Sequence, residues 1–298
     1  PNADALFLTA IDKYGHELWR WTFPVDKLNQ TNEVFSPLSG KATYSETENE
    51  LTVKAKNHTF IFSKRDGQLK GVSVNNHKIS FANGPRFIGA RRADRSLDQF
   101  YNHDDEKAKE KDRTYSEFPD AAVFTKLEVK EDGGNLIVTA NYKLGNLDLI
   151  GISFDYPEDQ VISKRWLGAG PYRVWQNRIH GTQYDVWEND YNDPIPGETF
   201  TYPEFKGYFD SVSWMNIRTK EGTISLTNET PDSYIGVYQP RDGRDRLLYT
   251  LPESGISVLD VIPPVRNKVN STDLCGPSSQ PKWVNGPQTG RIIFRFME

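Results

Sequence analysis

Residues 136–144 read Leu-Ile-Val-Thr-Ala-Asn-Tyr-Lys-Leu, and this stretch decides the fold class. Mostly apolar side chains at every second position, from Leu136 to Leu144, alternate with a set that includes Thr139, Asn141 and Lys143. Successive side chains of a β-strand point to opposite faces, so a period of two predicts a strand with one face toward water.

The same alternation recurs through the chain, with turn sequences between the repeats. It is found in residues 123–129, 150–156 and 292–296. Lys64-Arg65-Asp66-Gly67 and Glu131-Asp132-Gly133-Gly134 supply glycines that can take the positive φ of a tight hairpin. No long stripe of helical period is present. The pattern predicts an all-β fold in which large antiparallel sheets pack face to face as a β-sandwich.

Composition argues against two classes of partner. The chain has 298 residues, with 36 Lys and Arg against 41 Asp and Glu, and a formal net charge of -5 at pH 7. This balance provides no attraction for nucleic acid or an anionic membrane surface. No segment approaches the roughly 20 apolar residues of a membrane-spanning helix. We therefore expect a soluble protein with a neutral ligand and no nucleic-acid or membrane partner.

The sequence contains no motif for metal binding, cofactor binding or thiol catalysis. The five histidines stand singly, and no pair of His or Cys has the spacing of metal ligands. Cys275 is the single cysteine, so it has no internal disulfide partner, and no base motif accompanies it. The sequence predicts no metal site, no cofactor and no catalytic cysteine. It leaves the compartment open, with a periplasmic or extracellular location favoured.

The first 32 residues are predicted to form a separate unit. Leu6–Ile11 and Leu18–Phe23 flank the turn Asp12–Gly15, which makes a hairpin, and a polar run from Asn29 to Asn32 follows as a linker. A lone hairpin is only marginally stable. Because the chain also begins with Pro1, we expect a fragment of a longer polypeptide whose hairpin packs on something else.

A sequence signature follows in residues 165–178, RWLGAGPYRVWQNR. It resembles the WLGxGPxExYxDR signature of the C-terminal small-chain domain of glycoside hydrolase family 2 β-galactosidases. The matching residues are Trp166, Leu167, Gly168, Gly170, Pro171 and Arg178. Residues 60–69 (FIFSKRDGQL) and 84–87 (GPRF) are similar to the opening of the same domain, so the resemblance runs from about Glu50 to the C-terminus.

This resemblance implies a supersandwich of the galactose mutarotase-like type over residues 33–298. Residues 1–32 would be the last hairpin, with linker, of a preceding immunoglobulin-like domain. The two catalytic glutamates of that family belong to an upstream TIM barrel, which would be a partner domain in the same polypeptide, and the family often assembles as homo-oligomers. The chain itself would then be non-catalytic and would help to shape a sugar site. Two departures stand against simple galactosides: Arg91–Ser96 replaces a family segment, and Thr272–Pro277 stands where some members carry a sugar-contacting aromatic residue.

Four residues have the chemistry to hold a carbohydrate, because rings stack on the apolar face of a pyranose while cationic groups bind its hydroxyls. They are Trp175, Arg178, Trp187 and Trp283. A core role for Trp175 and a salt-bridge role for Arg178 compete with this interpretation. The acidic residues around Trp187 are expected to be structural, so the sequence predicts no catalytic residue.

Two other functions remain open. A free-standing aldose epimerase needs a His and a Glu on either side of the anomeric centre, and His180 alone lies in the signature region. A pure carbohydrate-binding module needs no catalytic group. Two irregular segments, Asp94–Arg113 and Pro263–Pro287, are expected to be a solvated loop or short helix and a functional loop respectively.

Overall fold

The computed structural model describes residues 3–25, 34–90, 124–142, 147–190, 207–229, 233–238, 254–264 and 288–298. Within them the chain is built almost entirely of strands, with one short 3-10 helix at Glu158–Gln160. In chain order the strands are β1 (Ala5–Ile11), β2 (Glu17–Pro24), β3 (Thr43–Glu46), β4 (Glu50–Ala55), β5 (His58–Ser63), β6 (Leu69–Val74), β7 (His77–Ile79), β8 (Ala82–Ala90), β9 (Phe124–Asp132), β10 (Asn135–Tyr142), β11 (Leu149–Asp155), β12 (Val161–Gly170), β13 (Gln183–Asp190), β14 (Phe209–Asp210), β15 (Trp214–Thr219), β16 (Gly222–Asn228), β17 (Tyr234–Val237), β18 (Ile256–Val261) and β19 (Gln288–Met297). The segments Asp94–Arg113 and 265–287 lie outside the described residues.

Two large antiparallel sheets face each other. One has the order β13-β12-β15-β16-β19-β10-β9, and the other has the order β14-β17-β18-β11-β8-β6-β5-β4-β3, with β7 paired to β6 at its side. Residues 136–142 lie in β10, in the centre of a run of three strands between β19 and β9. The prediction of an all-β antiparallel sandwich is confirmed.

The core lies between the two sheets and is rich in aromatic rings. Phe154 lies in β11 of the ten-stranded sheet, and Phe81 immediately precedes β8 of the same sheet. The ring centroids of Phe81 and Phe154 lie 5.1 and 5.2 Å, respectively, from that of Phe294 in β19. Trp166, in β12, is fully buried and meets the ring of Phe209 edge-on with centroids 4.8 Å apart. Such pairs add directional attraction to the burial of apolar area. Large rings from both sheets therefore fix how the layers stack.

A polar latch joins the two sheets at one end of the sandwich. The Glu221 carboxylate, in the turn between β15 and β16, accepts hydrogen bonds from the Ser80 backbone N–H at 2.9 Å and its hydroxyl at 2.6 Å. The Tyr156 hydroxyl donates to the same carboxylate at 3.0 Å. Burial raises the pKa of Tyr156, and the nearby negative charge of Glu221 raises it further, so the phenol stays protonated and able to donate.

Replacing Glu221 with Gln is expected to lower the free energy of unfolding by about 1–3 kcal/mol. The amide oxygen can still accept from the Ser80 N–H and the Tyr156 hydroxyl, and the amide nitrogen can donate to the Ser80 hydroxyl, so the loss arises because hydrogen bonds to a charged carboxylate become weaker neutral ones. Urea unfolding of both proteins measures the change. Glu48→Gln, at an exposed position, is the matched control and should stay within about 0.5 kcal/mol of the wild type. Equal losses in the two variants would contradict the latch.

The N-terminal hairpin forms as predicted, as a separate two-stranded sheet of β1 and β2. It touches the sandwich through polar contacts. Asp4 accepts a hydrogen bond from the Trp214 indole at 3.1 Å, and Arg20 lies 3.7 Å from the Asp185 carboxylate in β13. Most of its large apolar side chains, Trp19 and Trp21 among them, are exposed. The assignment of residues 1–32 to a different domain from residues 33–298 stays a prediction.

Candidate active site

Several strands of both sheets end together at one end of the sandwich, which we call the Asp260 end. Tyr142 pairs with Gln288 in the seven-stranded sheet, and Ile150 pairs with Val261 in the ten-stranded sheet. Ala90, the last residue of β8, pairs with Leu149 here, and Tyr142 also pairs with Phe124.

A carboxylate and a phenol meet across the two sheets at this end. Asp260 lies in β18, where the pairing with β11 shifts register between Gly151 and Ile150, which marks a β-bulge. Tyr142, the last residue of β10, donates a hydrogen bond from its hydroxyl to Asp260 Oδ2. Bulges redirect a side chain out of the regular alternation and are common beside functional sites. The bulge thus explains how a charged residue in an apolar strand reaches a polar partner.

The surroundings of Asp260 make its carboxyl weakly acidic. Burial raises its pKa from 3.8 to about 6, because the charged form loses hydration between the sheets. The residue nevertheless keeps partial exposure, whereas its neighbours in β18 are buried. A carboxyl with a pKa near neutrality can both accept and return a proton at physiological pH. Asp260 therefore has the properties of a general acid–base group.

Trp175 and Arg178 come from the segment that follows β12 at this same end. Trp175 is 1% exposed and belongs to a buried cluster with Leu259 and Ile262, which lie close to Asp260 on either side of it in the chain. The backbone of Gln176 donates to the Pro263 carbonyl at 3.1 Å. Arg178 is exposed, and its N–H donates to the Trp175 carbonyl at 2.8 Å in a tight turn. Trp175 thus anchors the turn that presents Arg178.

Trp187 lies in β13, the edge strand next to β12. Its indole N–H donates to the Gln183 carbonyl at 3.0 Å, and its ring covers Gly170 so closely that a side-chain carbon there would stand 2.4 Å from the ring. The residue is partly exposed. Trp187 is therefore held in one orientation with part of its surface open to solvent.

The remaining predicted residues are not joined to these. Trp283 lies outside the described residues. His180 is exposed in the turn before β13. Of the four histidines that the structure describes, His58 alone is buried, and its ring bonds a backbone carbonyl at the opposite end of the sandwich. No buried, facing pair of His and Glu is formed within the described residues.

The Asp260–Tyr142 pair was missed by the sequence analysis. Tyr142 was placed in the apolar set of β10, and Asp260 was passed over. One signal was available: Asp260 is the only charged residue in the apolar run from Ile256 to Ile262. A charge inside a strand that is buried on both faces needs a partner, and its presence suggests a specific role.

Within the part of the chain that the structure describes, no helix is long and apolar enough to cross a membrane. The same residues contain no group of three or more His, Cys, Asp or Glu that would hold a metal ion.

Comparisons with known proteins give one result on structure and none on sequence. No family model matches the chain, and no curated protein matches it. Among solved structures, the chain is similar to a GalM/aldose epimerase homologue from C. elegans, at 9% identity and a TM-score of 0.39, over 87% of this chain and 99% of that one. These values are low, so the fold assignment rests on the sheet order described above.

The resemblance to the family 2 β-galactosidases was wrong. No sequence comparison supports it, and the similar solved structure is an epimerase homologue. The signature residues have packing roles that explain their pattern: Trp166 fills the core and bonds the Ala169 carbonyl, and Gly170 leaves room for the Trp187 ring. A non-catalytic role beside an upstream barrel was implied by that resemblance, and falls with it.

Proposed function

We propose that the chain catalyses proton transfer on a neutral sugar at the Asp260 end, as an aldose epimerase-like enzyme. The observation that carries the proposal is the hydrogen-bonded pair of Asp260 and Tyr142 at a bulge where the two sheets meet. The raised pKa of Asp260, near 6, suits a group that must exchange a proton in both directions near neutral pH. The net charge of -5 also favours a neutral substrate over an anionic one.

The reaction that fits such a group is interconversion of the anomers of an aldose. The base takes the proton of the C1 hydroxyl, a solvent water molecule donates a proton to the ring oxygen, and the bond between C1 and the ring oxygen breaks to give the open-chain aldehyde. After rotation about the bond between C1 and C2, the C5 hydroxyl oxygen attacks the other face of C1 and gives its proton to the hydroxide left by that water, while the base returns its proton to the C1 oxygen. In this scheme Asp260 is the base, and Tyr142 orients it through the hydroxyl that donates to Oδ2.

Sugar contact is assigned to the exposed residues at the same end. Arg178 offers N–H donors to sugar hydroxyls, and the open part of the Trp187 ring offers an apolar surface. Trp283 remains a candidate on chemical grounds. Trp175 has almost no exposed surface, so its part in the proposal is to support the turn that carries Arg178.

Polarimetry of freshly dissolved α-anomers tests the proposal. The chain is expected to speed the approach to anomeric equilibrium for at least one neutral aldose, compared with the same buffer without protein. A panel that contains D-glucose, D-galactose, D-mannose and D-xylose covers the common configurations. If the chain accelerates the mutarotation of none of these four sugars, the proposal that it is an epimerase-like enzyme is wrong.

A carbohydrate-binding module is the second candidate. It is favoured by the absence of a buried His–Glu pair within the described residues, because binding alone requires only Arg178 and the Trp187 surface. Titration calorimetry with the same sugars separates the two. If Arg178→Ala weakens sugar binding but leaves the rate of mutarotation unchanged, the chain is a carbohydrate-binding module.

A further inference from the structure

The N-terminal hairpin of β1 and β2 carries most of the exposed large apolar side chains of the described residues. Within those residues its two strands pair only with each other. Residues that pair directly across two antiparallel strands lie on the same face of the sheet. The register of the hairpin therefore places six apolar residues on one face, which we call the outer face: Leu6, Leu8, Ala10, Trp19, Trp21 and Phe23.

The opposite face of the hairpin is connected to the sandwich. Phe7 pairs with Thr22, and Thr9 pairs with Arg20, so these residues share that face. The Arg20 guanidinium lies 5.3 Å from the centre of the Phe7 ring and 3.7 Å from the Asp185 carboxylate in β13. Arg20 thus ties this face to the sandwich, and the outer face stays open.

The outer face is large enough to be an interaction surface. Leu6 and Leu8 are 63% and 57% exposed, and Trp19, Trp21 and Phe23 are 50%, 44% and 50% exposed. An aromatic side chain offers roughly 150–250 Å² for burial, so these five side chains leave on the order of 500 Å² of apolar surface uncovered. A contiguous apolar patch of this size is often functional.

The chemistry of the outer face suits a second copy of the same face. None of its side chains is charged, so two outer faces meet without opposing like charges. A sugar needs several placed polar groups, and the side chains of this face offer only the indole N–H groups of Trp19 and Trp21. Two copies together cover about 1,000 Å², which is the lower bound of a specific protein–protein interface. Because a lone hairpin is marginally stable, each copy supplies the apolar layer that the other lacks.

We propose that the outer face is the interface of a homodimer, in which two hairpins pack face to face across a two-fold axis. A two-fold contact uses the same patch on both chains and closes the assembly at two copies. Leu8 and Trp21 are the middle pair of the face, so they lie at the centre of the contact. The dimer does not rest on the function proposed for the Asp260 end.

Sedimentation equilibrium of the full chain tests the dimer. The wild type is expected to have twice the mass of one chain at protein concentrations of tens of micromolar. Leu8→Lys places an ammonium group at the centre of the outer face, where burial of an unpaired charge is costly, and should raise the dissociation constant at least about ten-fold. Ile11→Lys is the matched control, because Ile11 is 61% exposed and lies on the opposite face of β1. Its dissociation constant should stay within about two-fold of the wild type.

Hydrogen exchange of the wild type gives a second readout that needs no variant. Amide protection in β1 and β2 should rise with protein concentration, whereas protection in β16 and β19, at the centre of the seven-stranded sheet, should stay constant. A monomeric wild type, a dimer that Leu8→Lys leaves intact, or protection that rises only outside the hairpin would overturn the proposal. A monomer that binds phosphatidylcholine vesicles would assign the outer face to a lipid surface instead.

Discussion

Replacing Asp260 with Asn is expected to lower the catalysed rate of mutarotation by about 100-fold or more. A positioned general acid–base group contributes roughly 10²–10⁴ in rate, and an amide in its place neither takes nor returns a proton. The amide keeps the shape of the carboxyl, and its oxygen still accepts from Tyr142, so sugar binding should change little. Polarimetry and calorimetry on the same preparation separate the two quantities.

Stability provides an internal control for this variant. The pKa of Asp260 is raised to about 6 in the fold, from 3.8, so its favourable contribution is present below pH 4 and is lost as the pH rises through 6. Above that range the ionised carboxyl destabilises the fold, and the Asn side chain, which carries no charge, removes this destabilisation. Asp260→Asn should therefore unfold at a temperature no lower than the wild type at pH 8. Asp132→Asn, on the exposed end of β9, should change neither rate nor stability.

The largest expected loss of stability comes from Trp166→Ala. The ring is fully buried between the sheets, meets Phe209 edge-on, and donates its N–H to the Ala169 carbonyl at 3.1 Å. Removing it leaves a large cavity and an unpaired carbonyl, and such truncations cost about 3–5 kcal/mol. Urea unfolding measures the change, and Trp166→Phe should lose less because most of the ring volume stays.

A surface aromatic residue supplies the control for the core. Tyr172, 44% exposed and a few residues further along the chain, should tolerate Ala within about 0.5 kcal/mol. Comparable losses for Trp166→Ala and Tyr172→Ala would mean that the signature segment does not pack as described.

The period-two pattern was enough to predict the sandwich, because alternate residues of strands such as β10 face the core. The prediction that the other face of β10 is open to water was wrong, because Ile137 packs there against Phe35 and Ile293, and Thr139 and Asn141 are partly buried. The hairpin at the N-terminus was predicted from its turn for a similar local reason. The order of the strands was not accessible in this way, since β19 inserts between β10 and β16 through pairings that join residues far apart in the sequence.

The site was harder to predict than the fold. Trp175 and Trp187 look alike in sequence, yet Trp175 is buried in a core cluster and Trp187 is partly exposed at the edge of another, and only the packing decides between them. Asp260 and Tyr142 are 118 residues apart and meet across two sheets, so no spacing rule connects them. The signature in residues 165–178 led to the wrong family because its tryptophan and glycines are explained by packing at the end of β12.

The pH dependence of mutarotation is the most direct test of the central claim, that Asp260 moves the proton. With the substrate well below saturation, the catalysed rate constant should rise between about pH 5 and pH 7 with an apparent pKa near 6, and Asp260→Asn should abolish that rise. A wild-type profile that follows the buffer alone, or the same inflection retained in Asp260→Asn, would contradict the claim.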